Sequence, residues 1–306
     1  MRFPIPAAGG LAIATTVVTR TSEEPKLRML RRIRELAAHR EILLNLVRKE
    51  LKVKYTASVL GAVWSLLNPV VFLAVFSFVV IVTGNALPHY PVYLLSGLLA
   101  WNLFSSSLLQ GARSVVDNAS LVKKVYFPRE ILPLASVGVT LVDFVLQSAV
   151  LLLFMLVTGY GFHLHVLWMY PLAVATLLVF TLAATLWVAG LNVRYRDVQH
   201  LLNLGLLVWF WMTPIVYPGA LVQDYLTRKA DVLWNLFLLN PLATIVFGFQ
   251  RALYGVVSPD GQHVLPQVSL RWMGGMLLLV LTCSLLLLSY TWRLYFRLSG
   301  DFAEEL

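Results

Sequence analysis

Residues 60–83, LGAVWSLLNPVVFLAVFSFVVIVT, run for 24 residues without a charged side chain. As a helix they extend about 36 Å, enough to cross the roughly 30 Å hydrocarbon core of a bilayer with some tilt. Working outward, five further runs of the same kind follow, at about 91–112, 131–160, 166–191, 201–217 and 272–292. The third is interrupted only by Asp143, and the fifth ends in the aromatic and proline-rich stretch Trp209-Phe-Trp-Met-Thr-Pro214. Of the 306 residues, 59% are hydrophobic and 13% charged, about half the charge a soluble domain needs to cover its surface. That excludes a soluble enzyme, a secreted disulfide scaffold and a disordered chain. The single cysteine, Cys283, lies within an apolar run, where a small packing residue is expected rather than a reactive thiol. The reading is an all-α integral membrane protein with six transmembrane helices.

The basic residues orient it, because Lys and Arg are retained on the cytoplasmic side. Twelve of the 24 precede residue 55; Arg113, Lys123, Lys124 and Arg129 lie between the second and third runs, Arg194 and Arg196 follow the fourth, and Arg293 and Arg297 follow the last. With both termini cytoplasmic, 20 are inside and only Arg228, Lys229, Arg251 and Arg271 are outside. One more apolar segment, 232–249, is split by Asn240-Pro241. A complete crossing there, kinked at the proline, would put Arg293 and Arg297 outside. A re-entrant outer hairpin between the fifth and sixth spans keeps them inside, with its non-helical backbone buried in protein or lining a cavity.

Residues 1–27 read as a disordered cytoplasmic leader, since the weak apolar stretch Leu11–Val18 is short for a signal sequence. Residues 28–58 read as an amphipathic cytoplasmic interface helix, with Leu30, Ile33, Ala37, Leu44, Val47 and Leu51 on one face and charge on the remainder. Residues 59–306 form the transmembrane domain. In the loop before the third span, Leu121, Val122, Val125, Tyr126 and Phe127 form an apolar group that faces cytosol on this topology. Such a group marks a contact surface or an aromatic anchor at the interface.

These residues carry a resemblance. From about residue 40 to 306 the chain resembles the membrane subunit of the ABC-2-type polysaccharide exporters, the family that moves O-antigen, teichoic acid and related cell-wall glycans. The matching stretches are Lys49-Glu-Leu-Lys-Val-Lys-Tyr55, Leu60-Gly-Ala-Val-Trp-Ser-Leu-Leu-Asn-Pro69, Lys123-Lys-Val-Tyr-Phe-Pro-Arg-Glu-Ile-Leu-Pro133 and Asn192-Val-Arg-Tyr-Arg-Asp197. Thr213-Pro-Ile-Val-Tyr-Pro218, Leu239-Asn-Pro-Leu242 and Phe302-Ala-Glu-Glu-Leu306 continue the series in order. The resemblance implies a homodimer in the bacterial plasma (inner) membrane, each copy bound to a separate cytoplasmic ABC ATPase (two copies in all). It implies that Leu121, Val122, Lys123, Lys124, Val125, Tyr126, Phe127, Pro128, Arg129 and Glu130 form the segment seated on that ATPase. It also implies that the 218–249 region, with Trp234, Asn240 and Pro241, forms an outer gate, and that the substrate hangs from a polyprenyl pyrophosphate.

Residue chemistry adds to this. No G-x-x-x-x-G-K-[ST] loop occurs, so ATP and magnesium are expected on the partner, with no cofactor, metal site or catalytic residue in this chain and no nucleic-acid partner. Arg48, Lys49, Lys52 and Lys54 precede the first span and are candidates to draw in the lipid's anionic head, although positive-inside retention accounts for any one of them. A neutral glycan needs aromatic faces and hydrogen-bonding partners; the candidates are Trp64, Asn68, Trp101, Asn102, Ser105, Ser106, Asn203, Trp209, Trp211 and Tyr217. Asp143 requires a partner or a place in the bundle interior, in a structural or a proton-coupled role. His89, His163, His165 and His263 match no zinc spacing, and Asp224, Asp231 and Asp260 are not marked as an acid–base pair. The rival functions are an ABC-2 exporter of a small molecule or drug and a membrane-embedded glycan-modifying enzyme.

Overall fold

The computed structural model describes residues 29–56, 63–82, 87, 89–161, 165–255 and 263–306; the leader at 1–27 lies outside them, as do residues 28, 57 and 58 of the expected interface helix. Every regular element described is a helix. Four are long and apolar enough to cross a bilayer: α4 Tyr90–Asp117, α6 Ile131–Val157, α7 Met169–Arg194 and α12 Leu270–Leu298. At 26 to 29 residues, each extends about 40 Å. α3 (Val63–Val82) covers most of the first expected span, and the 14-residue α8 (Val198–Trp211) begins before the fifth region and covers it as far as Trp211. α8 extends only about 21 Å, because Pro214 denies the helix a further donor.

α7 lies at the centre, packed on α12, α4 and on α11 (Pro241–Leu253), while α4 also packs on α6. Small residues set the closest approach. A Cβ on Gly111 of α4 would sit 2.1 Å from Thr185 Cγ2 of α7, so only glycine lets these two helices meet at this depth. Asn192, in the same seam, donates to the Ala112 carbonyl at 2.8 Å.

Between α8 and α9 (Gly219–Lys229) the chain is irregular, yet Thr213, Pro214 and Ile215 are buried. The exposed backbone acceptors there are met by side chains of other helices. The Tyr93 hydroxyl, wholly buried, donates to Tyr217 O at 2.7 Å, Gln250 Nε2 to Pro214 O at 3.1 Å, and Tyr90 to Val216 O at 3.0 Å. This satisfies the requirement that non-helical backbone inside a membrane domain be paired by protein.

The expected 28–58 helix is two helices, α1 Met29–Ala38 and α2 Arg40–Thr56. They break at His39, whose Nδ1 donates to the Glu35 carbonyl at 2.8 Å. α2 runs lengthwise along α6, in the same direction. Val47 lies against Gly138, where a Cβ would be 2.9 Å from Val47 Cγ2; further on, Lys54 and Tyr55 both bond Asp143.

The segment expected to be re-entrant consists of α10 Asp231–Phe237 and α11, separated at Leu238 to Asn240. Neither is long enough to cross alone, and α11 is buried from Leu242 to Leu253.

Candidate coupling and transport sites

At the basic end of the bundle, α5 (Ala119–Lys124) and residues 125–130 connect α4 to α6. The last α5 turn and an extended Val125 (φ −125°, ψ 135°) carry four consecutive exposed side chains, Lys123 to Tyr126, between buried Val122 and Phe127. Val122 and Phe127 enter a core with Val115, Ile131, Tyr295 and Phe302. Lys123, Lys124 and Val125 point outward, and Tyr126 is 100% exposed. The apolar group read from sequence is therefore divided: Val122 and Phe127 anchor the segment, while Val125 and Tyr126 form its tip. A groove of about 850 Å³ lies beside that tip, lined among others by Arg32, Glu35, His39, Arg129, Phe296 and Gly300.

Glu130 does not belong to the tip. Its side chain is 1% exposed and is gripped by Arg32 of α1, Nε to Oε1 and a terminal nitrogen to Oε2, both at 2.8 Å. Trp292 Nε1 of α12 donates to Oε1 at 3.3 Å. Arg32 also bonds Glu35 at 2.7 Å and lies 4.9 Å from the Phe296 ring centre. Burial works to lower the Arg32 pKa, but the Glu130 and Glu35 carboxylates outweigh it and hold it above the usual arginine value. A lone buried carboxylate is costly; here a bidentate guanidinium and an indole N–H match its acceptors. The same junction is tied twice more: the Tyr295 hydroxyl donates to Arg129 O at 3.0 Å, and the Arg129 guanidinium donates to Ser299 O. α13 (Phe302–Glu305) closes it from below, with Phe302 buried edge-on against Tyr295. Sequence reasoning singled out Glu130 but not Arg32, Trp292, Tyr295 or Phe296, because partners 98 and 162 positions away from Glu130 leave no local signature.

The four candidate head-group cations do not converge. Lys54 Nζ is paired with Asp143 Oδ2 at 2.6 Å, and the Tyr55 hydroxyl donates to the other oxygen. Arg48 lies in a shallow groove with Arg40, Glu41 and Asn45, Lys49 faces the α4–α6 seam, and Lys52 is exposed.

The pathway candidates also separate. The side chains of Trp64 and Asn68 lie outside the described ones. Asn203 and Trp211 are exposed, eight positions apart and so on one stripe of α8. Trp211 meets Phe76 of α3, ring centres 6.2 Å apart. Trp101, Asn102, Ser105, Ser106 and Tyr217 are half-buried. Asn102 donates to Gln147 at 3.2 Å, and Tyr217 to the Trp211 carbonyl at 2.7 Å.

Trp209 faces inward, its ring against Phe104 and Phe180, and donates from Nε1 to Asn240 Oδ1 at 2.9 Å. Asn240 also caps α11, accepting from Leu242 N at 3.1 Å, and donates to the Met212 carbonyl and Thr213 hydroxyl. Pro241 occupies the first turn of α11, where its missing N–H costs nothing. Trp234 is buried, stacked on Phe237 with ring centres 5.7 Å apart. The Asn-Pro break is thus a fixed joint. Asn240→Ala removes the cap and orphans a half-buried indole, with an expected loss of about 2–3 kcal/mol. Asn240→Asp keeps both acceptor roles and is expected to recover at least half of it in thermal unfolding followed by tryptophan fluorescence.

Long apolar helices over a rigid basic end with one exposed tip define a multi-pass integral membrane protein. The chain belongs to the ABC-2 type transporter family, which matches residues 42–254. It is 35% identical over 239 residues to the O-antigen export system permease protein RfbA of Myxococcus xanthus, covering 78% of this chain and 89% of that protein. It is 30% identical over 211 residues to an O-antigen export system permease protein RfbA of Klebsiella pneumoniae, covering 69% and 79%.

Proposed function

We propose that the chain is the transmembrane subunit of an ATP-driven exporter that moves a polyprenyl-pyrophosphate-linked polysaccharide of the O-antigen type outward across the bacterial inner membrane. It works as a homodimer with two copies of a separate ATPase, which binds ATP and magnesium; this chain carries no catalytic site. α3, α8 and the four long helices make six crossings, with both termini in the cytoplasm.

The observation that carries this reading is the division of the coupling segment. Tyr126 is fully exposed, while Val122, Phe127 and Glu130 on either side are buried. A push on that tip cannot be absorbed locally, because the segment is packed and bonded to α1, α6 and α12; close-packed elements transmit displacement. Motion passed to α3 and α8 opens a path past Asn203 and Trp211, between the two copies. Glycan passes outward beneath α9 and α10, with Val232 and Leu236 of α10 and Leu239 after it exposed. The likeness to the two O-antigen permeases supports the cargo class.

The test is co-purification with the cognate P-loop ATPase and export assayed in proteoliposomes. Tyr126→Asp, at a position with no packing to lose, is expected to weaken ATPase association at least about tenfold and to stop export. Unchanged association and export overturn the reading. Glycan modification by the chain without any ATPase would identify a membrane-embedded enzyme instead.

A further inference from the structure

A cleft of about 460 Å³ opens between α2, α4 and α6 at the basic end of the bundle. Its polar lining is balanced in charge: Lys49 and Glu50, a loose exposed pair at 3.7 Å, and Arg113 and Asp117, with Ser106 and Gln110 between them. Ser106, Gln110, Arg113 and Asp117 make no hydrogen bond or ion pair among the described residues. Arg113 and Asp117 sit four positions apart on α4, the usual spacing for a helical ion pair, yet they are not paired. Their donors and acceptors are left unspent at one concavity.

A second, separate cavity lies farther along the same seam. The α4–α6 seam runs from the cleft past the Ser107–Thr140 hydroxyl pair, 2.6 Å apart, and the Asn102–Gln147 amide pair. It reaches a narrow apolar slot lined by Leu95, Leu99 and Val150. A charged cleft at the end of the helices and an apolar slot farther along the same seam have the shape of an amphiphile.

We propose that this seam holds a zwitterionic glycerophospholipid with an amine head group. Lys49 and Arg113 take its phosphate, Glu50 and Asp117 take its ammonium, and an acyl chain lies toward the slot. Charge complementarity selects this occupant. A singly anionic head satisfies the two cations but leaves both carboxylates facing its charge, and a pyrophosphate does so more severely. A neutral sugar leaves Arg113 and Asp117 uncompensated. The inference goes beyond the transport reading and does not depend on the exported cargo. It gives the bundle a bound lipid that bridges α2 to the α4–α6 pair, immediately before the coupling segment.

The experiment is native mass spectrometry of the full chain, released from detergent and titrated with phosphatidylethanolamine or phosphatidylglycerol of identical acyl chains. One phosphatidylethanolamine per chain is expected to bind about tenfold more tightly than phosphatidylglycerol. Asp117→Asn combined with Glu50→Gln is expected to erase or reverse that preference, and Arg113→Gln to weaken both lipids. Asp117→Asn alone, at an exposed position, keeps the test available if the double variant fails to fold, with size-exclusion profile and helical circular dichroism as the check. Equal retention of the two lipids by the unaltered chain, or a preference untouched by the charge variants, overturns the proposal. So does a mass shift produced by a lipid-free oligosaccharide and not by phospholipid.

Discussion

Replacing Arg32 by alanine is expected to cost about 3–5 kcal/mol, because it strands a buried carboxylate. Glu130 is 1% exposed, and without the guanidinium it keeps only the single bond from Trp292 at 3.3 Å. The reciprocal change, Glu130→Ala, is expected to cost less, since the stranded Arg32 retains Glu35 and the Phe296 ring and is itself 18% exposed. Replacing both by methionine is expected to recover most of the loss, because well-packed apolar pairs substitute for buried ion pairs without penalty. Thermal unfolding of the four proteins in one lipid nanodisc composition checks the order: unaltered and double variant highest, then Glu130→Ala, then Arg32→Ala. The functional readout differs from the stability readout. The double methionine variant keeps the fold but loses the directional bidentate link between α1 and the coupling segment, so ATP hydrolysis by the partner is expected to continue while export falls. An Arg32→Ala protein as stable as the unaltered chain would show that the pair does not anchor the segment.

Asp143→Leu and Lys54→Met form the second large pair. Asp143 lies 12 residues into α6, about 18 Å along the helix, and its side chain is 12% exposed. Lys54 at 2.6 Å and the Tyr55 hydroxyl both bond it. Lys54→Met strands the buried carboxylate, with an expected cost of about 3 kcal/mol; Asp143→Leu leaves a partly exposed ammonium and is expected to cost less. The double change is expected to restore at least half of the Lys54→Met cost, giving a coupling energy of about 1.5 kcal/mol or more in the cycle. The same double variant separates the two roles open to Asp143. Export retained by Lys54→Met/Asp143→Leu assigns it a structural role, joining α2 to α6. Export lost while the unfolding temperature is restored assigns it a proton-carrying one.

How much of this was legible in sequence differs from feature to feature. The apolar runs were, because a segment of twenty uncharged residues has few physical outcomes. The break at Asn240-Pro241 was equally plain, because a capping side chain followed by proline starts a helix in any context. The amphipathic character of residues 28–58 was visible, but not the split at His39 or the lengthwise seat on α6. A hydrophobic stripe announces burial against something, and Gly138 opposite Val47 becomes meaningful only once the two helices are adjacent. The candidate head-group cations show the same limit. Four basic residues within seven positions look like a cluster on paper; on a helix their side chains diverge, and Asp143, 89 positions away, claims Lys54. The aromatic candidates divide for a similar reason. Trp209 and Trp211 are two residues apart, and rotation along α8 sends the first inward to Asn240 and leaves the second exposed.

Sequence alone determined the solvent: low charge and long apolar runs commit the chain to a bilayer, and its basic residues collect at one end of the bundle. It also determined where helices must stop, since proline and capping residues act through local backbone chemistry. Only the tertiary structure decided which polar groups are spent and which are free. Glu130, Lys54 and Trp209 are consumed by internal partners, while Tyr126, Arg113 and Asp117 remain available. That distinction depends on distances between residues far apart in the chain, and periodicity, which records only each residue's neighbours on its own helix, carries no information about them.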